Sequence, residues 1–398
     1  MLVACRKNGE KLSLGDHFDK DELVQSRKKE EFFCPECRER VVLKLGDKRI
    51  WHFSHQKGSN CPSKYDRESS YHLSGKLQLY QWLNKRTTKA QLEQYFHTCK
   101  QRADIAFEWN RQLFSIEFQC SPIREELFIN RTEGYQSNRI TPIWIIGGNQ
   151  INRLASNLFS FNHFQYLFLR RQDTRWFVIA YCPDVNQFIF LHDLLPISPK
   201  KVLASMTILP KYEIDIYQLL HLVPLKRLPL SCWIHELQKL KTSYYSYPDF
   251  SQRTFLETLY KNGLNLLTFP SEIGLPVRSS PFIETSPLVW QTFLYLDILR
   301  HLKTGNIFSY SNIYHAFLIR MNKQEIKIRQ FPLVDHGSYE LAIREYLYLL
   351  VKMDILTQID ENRYAMNRPF KIPLNTEGQV ENEKQFYHNN EKMIYESL

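Results

Sequence analysis

The sequence predicts an α/β protein: a central mixed sheet, preceded by a small β region bearing Cys and His and followed by a mainly α-helical C-terminal domain. Three observations lead there. Residues 102–119 alternate apolar and polar side chains on either side of Trp109-Asn110-Arg111-Gln112, the pattern of an antiparallel hairpin. From residue 64 to 148 the segments read helix, strand, strand, strand, helix, strand. Beyond residue 196 the longer apolar segments take helical spacing, as in 288–303 and 339–353.

The first region, residues 1–62, contains Cys34-Pro35-Glu36-Cys37, an apolar run at 41–43, then His52, His55 and Cys61. A Cys-x-x-Cys knuckle followed by a His-x-x-His and a further Cys offers the ligands of a tetrahedral Zn²⁺ site closed to substrate. If residues 50–55 are extended, His52 and His55 face opposite sides, so one of them binds. The favoured set is Cys34, Cys37, His55 and Cys61, with His52 as the alternative.

A helix follows over about 64–85, with Leu73, Leu77 and Tyr80 on one stripe and Trp82 and Leu83 widening it. Beside that stripe stand Glu68, His72 and Lys76, spaced i, i+4, i+8. This face is expected to overlook the hairpin. There Glu117 and Gln119 share one face of a strand while Ile116 and Phe118 point into the core, and Asp104 leads the partner strand. Two carboxylates and an amide carbonyl form an oxygen-rich site suited to Mg²⁺ or Mn²⁺, able to polarise a phosphodiester and activate water.

Ser121-Pro122 reads as a helix entry, Ser capping and Pro in the first turn, with Glu125 and Glu126 next and the helix running to about Asn138. It sets Arg131 and Tyr135 one turn apart; with Arg102 they suit contacts to DNA phosphate. Thr141-Pro142 breaks the chain before Ile143-Trp144-Ile145-Ile146, a buried strand ended by Gly147-Gly148. Strand-like runs return at 164–169, 176–182 and 187–192, with a turn at 183–186. The central domain thus spans 63–195, with its core at 64–148. Residues 196–370 form the helical domain, with connections at 241–251 and 268–287. Its end, a helix at 341–353 followed by short strands at 355–357 and 362–365, is an order a winged-helix-like module would give. Residues 371–398 read as a polar tail without fixed structure.

The formal net charge is +10, and the whole excess lies in residues 1–240, alongside the candidate metal sites. That distribution fits a polyanion partner. Eight scattered cysteines with one close pair suit a reduced compartment better than a disulfide framework. No apolar run is long enough to span a membrane and no export signal opens the chain, so a cytoplasmic location is expected. The absence of a G-x-x-x-x-G-K-[ST] loop argues against a motor or kinase.

Asp104, a hairpin, then Glu117-Phe118-Gln119 resembles the PD-(D/E)XK nuclease superfamily, with Gln119 where that pattern has Lys. Lys76 is then the residue expected to replace the missing charge. A closer resemblance covers about residues 30–148. The Cys-x-x-Cys and His-Phe-x-His cluster, Glu-Ser-x-x-His-x-x-x-Lys, Arg-x-Asp-Ile, Ile-Glu-Phe-Gln-x-Ser-Pro-Ile, Arg-Thr-x-x-Tyr and Pro-Ile-Trp-Ile look like the competence protein CoiA family, in that family's order. The resemblance implies a restriction-endonuclease-like middle domain, a zinc-bearing N-terminal region and a helical C-terminal domain. It also implies a bacterial role in natural transformation, in which incoming single-stranded DNA is processed or passed to recombination proteins. The leading expectation is a metal-dependent deoxyribonuclease or DNA-processing factor, with Asp104, Glu117, Gln119, Glu68, His72 and Lys76 at the site. The alternative is a catalytically inactive DNA-binding or recombination-mediator protein on the same fold.

Overall fold

Five short strands, with one helix between the second and third, open the chain. In the computed structural model, which describes residues 1–16, 18–47, 49–59, 61, 68–87, 90–221, 227–246, 248–373 and 376–398, the strands are β1 (Val3–Arg6), β2 (Lys11–Ser13), β3 (Phe32–Phe33), β4 (Arg40–Lys44) and β5 (His52–His55). They form one sheet in the order β2-β1-β3-β4-β5. Helix α1 (Lys20–Lys29), which the sequence pattern did not reveal, is capped by Asp19, with Asp21 and Glu22 in its first turn and Arg27, Lys28 and Lys29 in its last. That polarity complements the helix dipole.

The chain divides into two compact units: residues 1–151, 178–190 and 207–224, and residues 152–177, 191–206 and 225–398. In the first unit α2 (Ser70–Asn84) begins at Ser69, whose side chain accepts from the His72 N–H. The earlier start expected at 64–67 lies outside the described residues. Gly75 is required where this helix meets the sheet, since a Cβ there would lie 2.0 Å from the Phe118 ring. Three short strands follow, β6 (Gln91–Leu92), β7 (Tyr95–Phe96) and β8 (Gln101–Arg102), then the expected hairpin of β9 (Ile105–Trp109) and β10 (Gln112–Gln119). Trp109 faces Gln112, and the two residues between them, Asn110 and Arg111, have φ of 49° and 63°, a tight two-residue turn.

Helix α3 (Glu125–Ser137) returns the chain to β11 (Ile140–Gly147), which runs parallel to β10 from Leu113↔Ile140 to Gln119↔Ile146. Two expectations are corrected here. Ser121 does not cap α3 and Pro122 lies outside it; the Gln119 and Gln150 amides hold the Ser121 and Cys120 carbonyls and keep this stretch in a loop. Pro142 does not break the chain but sits within β11, which is tolerated because β15 is registered with β11 only at Ile146 and Gly147.

Next come β12 (Asn152–Ala155), β13 (Leu158–Ser160), α4 (His163–Leu167) and β14 (Arg170–Gln172), all in the second unit. Residues 164–167 are helical rather than extended, because Asn162 and Gln165 form a capping box. Strands β15 (Arg175–Cys182), β16 (Gln187–Ser198) and β17 (Lys201–Pro210) contribute residues to both units. Within the first unit the strand order is β17-β16-β15-β11-β10-β9-β6, and α5 (Ile216–Leu220) ends it.

The second unit is mainly helical: α6 (Leu230–Ser246), α7 (Phe250–Lys261), α8 (Pro287–Asp297), α9 (Tyr310–Asn322), α10 (Tyr339–Lys352), α11 (Thr376–Asn389) and α12 (Glu391–Ser397). A small sheet of β18 (Ile307–Ser309), β20 (Arg363–Met366) and β19 (Leu356–Gln358) completes it, ordered β18-β20-β19. Residues 241–246 and 250–251 are helical, not connecting. The tail expected to lack structure forms α11 and α12, since Tyr387 and Ile394 are buried in the apolar core and Glu383 meets Lys241 in a buried pair at 2.5 Å. Among the described residues, no helix is long and apolar enough to cross a membrane.

Candidate metal centres and nuclease-like site

The Cys34-x-x-Cys37 turn closes through Cys34 N–H to the Glu39 carbonyl and Arg38 N–H to the Cys34 carbonyl, with Arg38 at φ 62°. Strand β5, registered with β4 as Val41↔His55, brings His55 to that turn. Cys34, Cys37, His55 and Cys61 converge, their ligand atoms all within 4.8 Å of one another, and Cys37 Sγ lies 3.3 Å from His55 Nε2. His52 is not in this group; its Nδ1 is 2.8 Å from the Ile50 carbonyl oxygen. Burial pushes the Cys34 thiol up and carries Cys37 to about 12. Three thiols and an imidazole at this spacing form a set able to hold a metal ion, which would draw the thiols into their ligating, deprotonated form.

The second cluster is built around Lys76, whose side chain is fully buried on α2. Its ammonium donates to Glu68 Oε1 at 2.5 Å and Glu93 Oε1 at 2.6 Å, and lies 3.5 Å from Asp104 Oδ1. His72 spans two of the same carboxylates, Nδ1 at 3.4 Å from Glu68 and Nε2 at 3.4 Å from Asp104. Glu68, His72 and Asp104 offer ligand atoms within 4.8 Å of one another. Helix α2 thus delivers His72 and Lys76 to Asp104, while Glu68 reaches the same place from just before the Ser69 cap.

Asp104 is fixed from the other side by the Phe118 N–H, 2.9 Å from Oδ2. Burial works to raise the Glu68 and Asp104 carboxyls, but Lys76 and the other nearby cations outweigh it and hold both well below the carboxylate range. Glu93 is carried to about 2 by the same balance, while the three carboxylates hold Lys76 above its ordinary value despite burial. Glu68, Glu93 and Asp104 are therefore carboxylates, and Lys76 an ammonium, at neutral pH.

Glu117 departs from expectation. Its carboxylate accepts from Arg131 Nη2 and from the Tyr135 hydroxyl, both at 2.5 Å, and it is not among the groups that converge with Asp104. Burial pushes its pKa up, the Arg131 charge pulls it down, and Asp104 adds to the rise. Lys76 accordingly serves Asp104, Glu68 and Glu93, and the cation beside Glu117 is Arg131. Gln119 donates its amide to the Ser121 carbonyl at 2.7 Å.

The three residues read as DNA contacts are turned inward. Tyr135 is fully buried, Arg131 binds Glu117 and the Arg102 carbonyl, and Arg102 sends a guanidinium N–H toward Met1 Sδ at 3.7 Å. Sequence reasoning missed Glu93. It is buried, at φ 50°, and accepts from the Leu2 and Val3 N–H groups at 2.9 and 3.1 Å as well as from Lys76. Lying between two-residue strands, it has no periodicity to mark it.

Comparison with known proteins places these features in sequence families. The model of the competence protein CoiA nuclease-like domain matches residues 68–224, which hold Glu68, His72, Lys76, Glu93, Asp104 and Glu117. The CoiA N-terminal-domain model matches residues 15–64, with the Cys/His cluster, and the C-terminal-domain model matches 228–380. Competence protein CoiA of Bacillus subtilis (strain 168) is 26% identical over 346 residues, 87% of this chain and 92% of that protein. No solved structure matches. The three models account in order for the sheet carrying the Cys/His cluster, the nuclease-like unit and the helical region, and the chain belongs to the competence protein CoiA family.

Proposed function

We propose that this chain is a metal-dependent DNA nuclease, or a DNA-processing factor of the PD-(D/E)XK type, that acts in the cytoplasm on incoming single-stranded DNA during natural transformation. Membership of the CoiA family and a nuclease-like domain support a role in competence. The observation that carries the finer reading is the convergence of Glu68, His72 and Asp104 beside the buried Lys76. Two ionised carboxylates and an imidazole suit a divalent cation, Mg²⁺ or Mn²⁺, which would supply Lewis-acid polarisation of the phosphodiester and a more acidic water.

The residues themselves have separable roles. Asp104 and Glu68 hold the ion and are kept ionised by Lys76. His72 completes the set as its nitrogen ligand. Lys76, fixed by Glu93, contributes positive charge close to where negative charge builds on the phosphate as the water oxygen attacks phosphorus, its proton passing to solvent and the bridging P–O bond breaking to release the sugar hydroxyl. The Cys/His cluster is a structural Zn²⁺ site that ties down the N-terminal sheet. End-labelled single- and double-stranded DNA incubated with Mg²⁺ or Mn²⁺ tests this: cleavage by wild type that is lost in Asp104→Ala is the expected result.

A second reading is favoured by the Glu117 pairing. With that carboxylate held by Arg131 and Tyr135, the fold would bind DNA or hand it to recombination proteins without cutting it. In that case DNA binding persists, and no metal brings cleavage.

A further inference from the structure

Helix α10 carries a surface that the nuclease-like site does not use. Elements α8, β18, α9, α10, β19 and β20 follow the order helix, strand, helix, helix, strand, strand, and the strands close as β18-β20-β19. Modules of this kind present a helix to the major groove of duplex DNA. The inner face of α10 is anchored by Ala342, Ile343, Tyr346, Leu347, Leu349 and Leu350, all buried in the core of the second unit. Its outer face exposes Arg344, Tyr348 and Lys352, one turn apart along a single ridge.

That ridge is cationic and aromatic. The Arg344 guanidinium lies 3.8 Å over the Tyr310 ring, and the Lys352 ammonium lies 5.2 Å over the Tyr348 ring. Neither cation has a carboxylate partner among the described residues, although the half-buried Glu340 stands one turn before Arg344. Eight residues of helix separate the two charges by about 12 Å, close to the width of the major groove. The hairpin between β19 and β20 exposes Glu361 and an Asp360–Arg363 ion pair at its turn, which leaves it without net positive charge for phosphate. The helix is therefore the part of the module suited to a polyanion.

We propose that α10 is a duplex-DNA contact of its own, with Arg344 and Lys352 on phosphates and Tyr348 packed between them. It does not depend on the nuclease reading and survives if the chain cuts nothing. The test is fluorescence anisotropy with a labelled duplex and its matching single strand, using the full chain over a salt series without added divalent cation. Arg344→Glu/Lys352→Glu is expected to weaken duplex binding about tenfold or more and to reduce the log–log salt slope by about 2. A charge-matched pair on exposed helical positions elsewhere, Lys261→Glu/Lys384→Glu, should lose far less. Tyr348→Ala, which leaves charge and buried face intact, should weaken duplex binding with the slope unchanged, and thermal unfolding should show all variants folded. Equal loss in the two charge pairs, or loss confined to the single strand, overturns the proposal.

Discussion

Arg131 and Glu117 meet at 2.5 Å between α3 and β10, so the second carboxylate of the hairpin is already paired by protein. Both groups are largely buried. Removing one member of such a pair strands the other charge in a poorly solvated place. Arg131→Gln is therefore expected to destabilise the fold by about 3–5 kcal/mol. Urea unfolding measures this; a loss under about 1 kcal/mol would mean that Glu117 does not depend on Arg131.

Lys76 and Glu93 should behave as one unit. Lys76→Met takes the paired ammonium from Glu93 and leaves Glu68 to the N-terminal ammonium of Met1 at 2.6 Å, and Glu93→Gln leaves Lys76 with fewer anions. Each single change should be costly, with Lys76→Met at about 3–5 kcal/mol. The double variant should fall short of the sum by about 0.5–3 kcal/mol. Strict additivity in a denaturant double-mutant cycle would refute the coupling.

The Cys/His cluster should hold about one zinc ion per chain, because its donor set is complete within the protein. Elemental analysis of unchelated protein checks this. Cys34→Ser should lose the metal and expose the N-terminal sheet to proteolysis, while His52→Ala should keep the full complement, since His52 stands outside the cluster.

Gly75→Ala isolates the seat of α2 on the sheet. The added methyl would overlap the Phe118 ring, so α2 or the ring must shift, at about 1–3 kcal/mol. Because His72 and Lys76 ride on this helix, activity should fall more than stability alone explains. An Ala variant with wild-type stability and activity would show that the helix tolerates displacement.

What the sequence disclosed was what local pattern encodes. The hairpin rests on a period of two, the Cys/His set on its motif spacing and the His72–Lys76 pair on a helical spacing of four, and the structure assembles each of them, with Glu68 joining from just before the helix. What stayed hidden depended on distant partners. Glu93 gains its place from Leu2, Val3 and Lys76, far from it in sequence, and Arg131 from Glu117. Ser121-Pro122 and Asn162 show the limits of cap signals: glutamine amides held the first out of its helix, while a capping box turned an apolar run helical at the second. The polar composition of 371–398 likewise concealed the few apolar residues that dock α11 and α12.

On the proposed reading the ion is held by Glu68, His72 and Asp104 rather than by Asp104 and Glu117. Mn²⁺ titration of the zinc-loaded chain, followed by electron paramagnetic resonance, tests it most directly. Saturable binding is expected, abolished by Asp104→Ala, strongly weakened by Glu68→Gln and little changed by Glu117→Gln. Loss of Mn²⁺ in Glu117→Gln with retention in Glu68→Gln would contradict it.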